Sequence, residues 1–156
     1  MRTMDSLFKY QLNYILNVES QLIEGLSIMA SSTSDRMLNE VLEVQLEKTK
    51  YNKQVLSELV DSYYRSNKGV TCLVIQAYLQ EMQQLIKRAT EEEVLNVGLM
   101  AETQKLIHFK ISIYNAATNY ANSLNYGESE RILNDILEGE NQDLLKVLTL
   151  EQDWID

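Results

Sequence analysis

Apolar residues recur every three to four positions along almost the whole chain, and the breaks in that rhythm mark off five helical stretches. The first is predicted over residues 5–30, with Leu12, Ile15, Leu16, Leu22, Ile23 and Leu26 on one stripe. The small polar run "ASSTSD" then supplies a turn and an N-cap. A second helix is predicted over 35–66, carrying Leu38, Val41, Leu42, Leu56, Leu59 and Tyr63, and "NKG" at 67–69 has the residues that end a helix. Thr71 is placed to cap a shorter helix reaching residue 89, with Val74, Ile75, Tyr78, Leu79, Met82, Leu85 and Ile86. Thr90 and Glu93 have the spacing of a capping box, which predicts a fourth helix over 91–124. After "NYGE" a fifth is predicted over 128–150, with Ile132, Leu133, Ile136, Leu137, Leu144 and Val147.

Four of these helices are long and one is short. The first and second, and the fourth and fifth, have short links and should be antiparallel neighbours. The connection between the second and fourth is long and contains the short helix. An all-α, four-helix bundle with one such crossover is the ferritin-like arrangement, and residues 1–156 are expected to form one domain of this kind. The short helix is apolar on more than one side (Leu73, Val74, Ile75, Leu79, Leu85, Ile86). It is therefore expected to lie across the bundle and to leave a patch that a homodimer would cover.

Composition narrows the picture. The chain has no proline and five glycines, so few breakers oppose helix formation. Its formal net charge of -9 argues against nucleic-acid and anionic-membrane partners, which need clustered Lys and Arg. No apolar run approaches a membrane span, and "MRTMDSLFKYQL" lacks the apolar block of a signal peptide. The expected location is cytoplasmic. The single cysteine, Cys72, excludes an internal disulfide framework and a zinc–cysteine site, and is expected to be a small, semi-buried residue.

Polar residues interrupt the stripes near the middle of every long helix. Glu19 stands seven residues from both Leu12 and Leu26; Gln45, Thr49 and Asn52 follow Leu38 and Leu42; Gln104 and His108 lie one turn apart; Glu140 lies between Ile136 and Leu144. In a bundle these seven should meet in one buried polar layer. A di-metal bundle centre takes carboxylates from two helices and Glu-x-x-His from the other two, and this chain has no Glu-x-x-His: three residues before His108 is Lys105. Three readings follow. The layer is hydrogen-bonded internally, because unpaired buried polar groups are costly; or it is a reduced, single-metal site of Glu19, His108 and Glu140 that takes iron or manganese, in a metal-binding protein or an oxidase; or the chain is an interaction module with Tyr63, Tyr64 and Trp154 in a contact face.

Four stretches in order resemble the YciF/YciE family of bacterial ferritin-like, stress-associated proteins: "LFKYQLNYILNVESQLIEGLSIMA", "LEKT", "AETQKLIHFKISIYN" and "LNYGESERILNDILEGE". The resemblance covers nearly the whole chain and implies the ferritin-like fold and a stress-related role. The departures concern chemistry. Family glutamates fall at Gln11, Lys48, Ile107 and Lys110, while Glu19, His108 and Glu140 remain. The resemblance thus implies a degenerate di-metal centre, no catalytic residues, no cofactor and a non-enzymatic protein. Lys48 and Lys110 are expected to reach solvent along their aliphatic stems.

Overall fold

The computed structural model describes residues 1–63 and 71–155. Five helices follow one another: α1 (Met4–Ser32), α2 (Arg36–Tyr63), α3 (Leu73–Arg88), α4 (Glu92–Ser123) and α5 (Gly127–Ile155). Among the described residues there is no strand, and no helix is long and apolar enough to cross a membrane. The residues 64–70, which include Tyr64 and the expected "NKG" stop, lie outside the described residues.

Local chemistry sets the helix ends. Thr3 and Ser6 form a reciprocal capping box on α1: each side-chain oxygen accepts from the other's backbone N–H at 3.1 Å. Asp35 starts α2 by accepting from Leu38 N–H at 2.7 Å. Two expected caps do not form. Cys72, not Thr71, is the N-cap of α3, and Glu91 is that of α4; neither makes a side-chain cap bond. The Thr90–Glu93 box is therefore absent, and Glu92 and Glu93 instead place negative charge against the helix dipole in the first turn of α4. Between α4 and α5, Asn125 adopts φ 60, which asparagine tolerates better than most residues. Its N–H donates to Asn122 C=O and the Tyr126 N–H to Ala121 C=O, the paired bonds of a Schellman ending.

The long helices pack as antiparallel pairs, α1 with α2 and α4 with α5, joined through α1–α4 and α2–α5 contacts. The short α3 crosses the outside of α1 and α4. It approaches closely because Gly25 of α1 leaves room for Leu79 and Gly98 of α4 leaves room for Leu85. One continuous core runs through α1–α5 and includes Leu12, Leu26, Leu42, Met82, Leu99 and Leu133. Tyr63, expected on an exposed contact face, is half-buried, with its ring 5.4 Å edge-on from Phe8 and 5.4 Å from Tyr126. Trp154, from the same expected face, is exposed at 37%. Cys72 is buried and donates from Sγ to the Tyr14 hydroxyl at 3.2 Å.

Candidate functional site

Seven-residue spacing aims the interior polar groups. Glu19 is framed by Leu12 and Leu26, Gln45 by Leu38 and Asn52, Lys110 by Thr103 and Ala117, and Glu140 by Leu133 and Val147, and all of these are buried. A residue seven positions along a helix faces nearly the same way, so the polar members point into the bundle axis beside their neighbours.

The group at the centre is Lys110. Its Nζ lies 2.8 Å from Glu140 Oε1 and 3.0 Å from Glu19 Oε1, and all three side chains are at most 1% exposed. Gln45 Oε1 and Thr49 Oγ1 each accept from it at 3.4 Å. The Gln45 amide donates in turn to Glu140 Oε2 at 3.0 Å and to Asp143 Oδ2 at 2.7 Å. Asp143 Oδ2 also meets Lys48 Nζ at 2.9 Å, where the layer reaches the surface. Asn52 stands beside Glu19 and favours its charge, and Glu19 in turn acts on the Tyr114 phenol, although the Asn52 Nδ2, the Tyr114 hydroxyl and both Glu19 oxygens lack strict hydrogen-bond geometry. Glu19 is thus held by charge more than by hydrogen bonds.

The charges answer one another. Burial alone would push the Lys110 ammonium toward its neutral form; Glu140, then Glu19, outweigh burial and hold its pKa above the ordinary lysine value. Burial raises Glu19, Lys110 opposes the rise, and the Glu140 charge adds to it, with a net shift upward. Burial, then the two glutamates, push the Tyr114 phenol well up, so it stays protonated. A lysine kept charged in this way is neither a nucleophile nor a base near neutral pH.

Two of the expected layer residues lie elsewhere. His108 is exposed on the outer face of α4, and Gln104 is half-buried and donates to the Glu151 carboxylate of α5. Each is one position or more out of phase with the inward stripe, which runs through Thr103, Ile107, Lys110 and Tyr114. A set of Glu19, His108 and Glu140 is therefore not assembled. Glu19, Gln45, Thr49, Asn52 and Glu140 are buried together. Lys110, expected at the surface, is buried among them because two carboxylates replace its hydration. Asp143 and Tyr114 went unnoticed in the sequence; the clue was that Asp143 is one turn beyond Glu140 and Tyr114 one turn beyond Lys110.

The residues present do not fit a di-metal centre. Such a centre needs about four carboxylates around two cations. Here an ammonium stands between the two glutamates, with neutral Gln45, Thr49 and Asn52 around it. Of the four positions where the resemblance expects further carboxylates, Ile107 is buried and aliphatic, Gln11 donates to the Ile113 carbonyl at 3.1 Å, Lys48 pairs with Asp143, and Lys110 supplies the ammonium. Among the described residues no group of three or more His, Cys, Asp or Glu is arranged to hold a metal ion.

Comparison with known proteins agrees with this architecture. The family model described as a domain of unknown function, DUF892, matches residues 3–152. The chain belongs to that family. It is 27% identical to Protein YciF of Escherichia coli (strain K12) over 153 residues, covering 96% of this chain and 91% of that protein. The crystal structure of the E. coli stress protein YciF superposes with a TM-score of 0.89 at 26% identity, covering 98% of this chain and 97% of that one. A putative structural protein from Rhodopseudomonas palustris, YcfI, has the same TM-score at 24% identity, covering 96% and 95%. A ferritin-like, diiron-carboxylate protein from Bacillus anthracis str. Ames has a TM-score of 0.74 at 16% identity, covering 97% and 99%. The last two likenesses concern the fold alone. The chain is a ferritin-like, YciF-type helical bundle.

Proposed function

We propose that this protein is a non-enzymatic, divergent member of the YciF/YciE type, in which an internal ammonium stands in for the cations of a degenerate di-metal centre. The observation that carries this reading is the double ion pair of Lys110 with Glu19 and Glu140. An ammonium there neutralises the carboxylates that would otherwise draw a metal, and it repels a divalent ion. Its role is architectural: it ties α1 to α4 and α5, and through Gln45 to α2, by groups that cost several kcal/mol each when left unpaired.

The stress-related role is extended to this chain from its relative, which is described as a stress protein. A homodimer and a cytoplasmic location complete the proposal. The exposed Leu73 and Val74 of α3 support self-association. Elemental analysis of protein purified without chelator tests the central part. The expected result is far less than one transition-metal ion per chain; stoichiometric iron or manganese would overturn it. Light scattering at high micromolar concentration tests the dimer, and a monomer there would refute that part alone.

A further inference from the structure

A groove of about 500 Å³ opens between the start of α2 and the end of α5, away from the axis of the bundle. Its walls are apolar, formed by Val41 and Val44 from α2 and Leu145 and Leu150 from α5. Val44 is 42% exposed and Leu145 is 66% exposed, so neither is covered by the chain's own packing. The rim carries Glu40 and Asp153 against Lys146 alone. Asp143 also lines the groove, and it differs from the rim residues in being 1% exposed.

Asp143 is half satisfied. Its Oδ2 accepts from Gln45 and Lys48, which anchors the carboxylate. Its Oδ1 is buried and has no hydrogen-bond partner. A buried carboxylate oxygen without a donor is costly, so a ligand that brings a donor there gains more than it would at the surface. The ammonium of Lys146 comes no nearer than 3.8 Å, too far for a hydrogen bond, and its side chain is 63% exposed. The site therefore attracts an ammonium without seating one.

We infer that this groove binds a primary ammonium at the end of an apolar stem, a small amphipathic amine. The ammonium donates to Asp143 Oδ1, and the stem lies between Val44 and Leu145. Three observations agree on this class. The volume lies within the roughly 300–1,000 Å³ usual for small-molecule sites. The walls are apolar where a stem would lie. The groove's acidic groups outnumber its single lysine, so an anionic head would be repelled, and a neutral head would give Asp143 Oδ1 a weaker hydrogen bond than an ammonium does.

The test uses n-octylammonium, 1-octanol and octanoate, titrated calorimetrically against the full-length protein, with the Asp143 carboxyl carbon followed by NMR. One octylammonium per chain should bind, at least about tenfold tighter than either analogue, as one charge-assisted hydrogen bond in a buried site implies. Binding should shift the Asp143 signal. Two exposed substitutions leave the interior layer intact. Val44→Lys should weaken binding at least about tenfold by filling the groove with a like charge, and Lys146→Gln should tighten it by removing the competing cation. Equal binding of octanol, or no effect of Val44→Lys, would overturn the inference. Amine binding seen only as a dimer dissociates would also overturn it, because the occupant would then be a side chain of a second copy.

Discussion

Lys110 Nζ and Glu140 Oε1 meet at 2.8 Å across the contact between α4 and α5, at a depth where neither side chain touches solvent. An ion pair buried this deeply owes its stability to completeness. Taking either charge out of water costs several kcal/mol, and only a full set of partners recovers it.

Removing one partner should therefore be severe. Lys110→Met keeps the volume and deletes the charge, leaving Glu19 and Glu140 facing each other. We expect a loss of about 3–5 kcal/mol in urea unfolding. The triple variant Glu19→Gln, Lys110→Met, Glu140→Gln should recover a large part of that loss. A triple variant no better than the single one would mean that the lysine acts through packing and not charge.

The pKa directions fix the dependence on pH. Lys110 is raised in the folded state, so its contribution is complete below the unfolded lysine value near ~10.4 and is lost only as pH rises through the still higher folded value. Glu19 is also raised, so its contribution is complete below the unfolded glutamate value near ~4.3 and declines as pH rises through its folded value. Urea midpoints measured from acid to neutral pH should fall more steeply for the native protein than for Glu19→Gln. Parallel curves would contradict the shift assigned to Glu19.

Gln45 and Asn52 are both buried amides on α2, yet they should differ in weight. Gln45 donates to Glu140 and Asp143 and accepts from Lys110. Gln45→Leu strands those charges and should cost on the order of 3 kcal/mol. The Asn52 Nδ2 lacks good hydrogen-bond geometry and supports only the Glu19 carboxylate beside it, so Asn52→Leu should cost less, about 1 kcal/mol. Chemical denaturation of the two variants side by side decides this, and similar losses in both would show Asn52 to be as well held as Gln45.

The seat of α3 can be tested at Gly25. A Cβ there would come within 2.2 Å of Leu79 Cδ2. Alanine favours a helix over glycine by ~1 kcal/mol, but overpacking costs about 1–3 kcal/mol. Gly25→Ala alone should lower hydrogen-exchange protection in α3. Adding Leu79→Ala should restore part of it, and a double variant worse than the sum of the two would argue against this contact.

Much of the fold was legible because helical periodicity is carried by many residues at once. The stripes of α1, α2 and α5 led to the observed faces, since Leu12, Leu38 and Leu133 fix their phase unambiguously. On α4 the phase was harder to read. Apolar residues flank both possible stripes, and His108 looked like the informative group because imidazole is the commoner ligand. The stripe through Ile107 and Tyr114, three residues before and four after Lys110, was present in the sequence. It contains Lys110, and an isolated lysine is expected to reach water. The pairing that reverses this expectation involves Glu19 and Glu140, which lie 91 residues before Lys110 and 30 after it, so no local pattern could reveal it. The caps of α3 and α4 failed for a related reason. Thr71 and Thr90 have suitable chemistry, but the N-cap of each helix falls one residue later, at Cys72 and Glu91.

The central claim is that an internal ammonium, and not a metal ion, neutralises Glu19 and Glu140. It is tested most directly by loading metal-free protein with ferrous iron without oxygen, desalting it, and counting what stays. Alongside it belongs the variant with Gln11, Lys48, Ile107 and Lys110 each changed to Glu, which supplies carboxylates at the four departed positions. The account predicts no iron retained by the native chain and measurable iron retained by the variant. Two irons per native chain, both lost on Glu19→Ala, would contradict it.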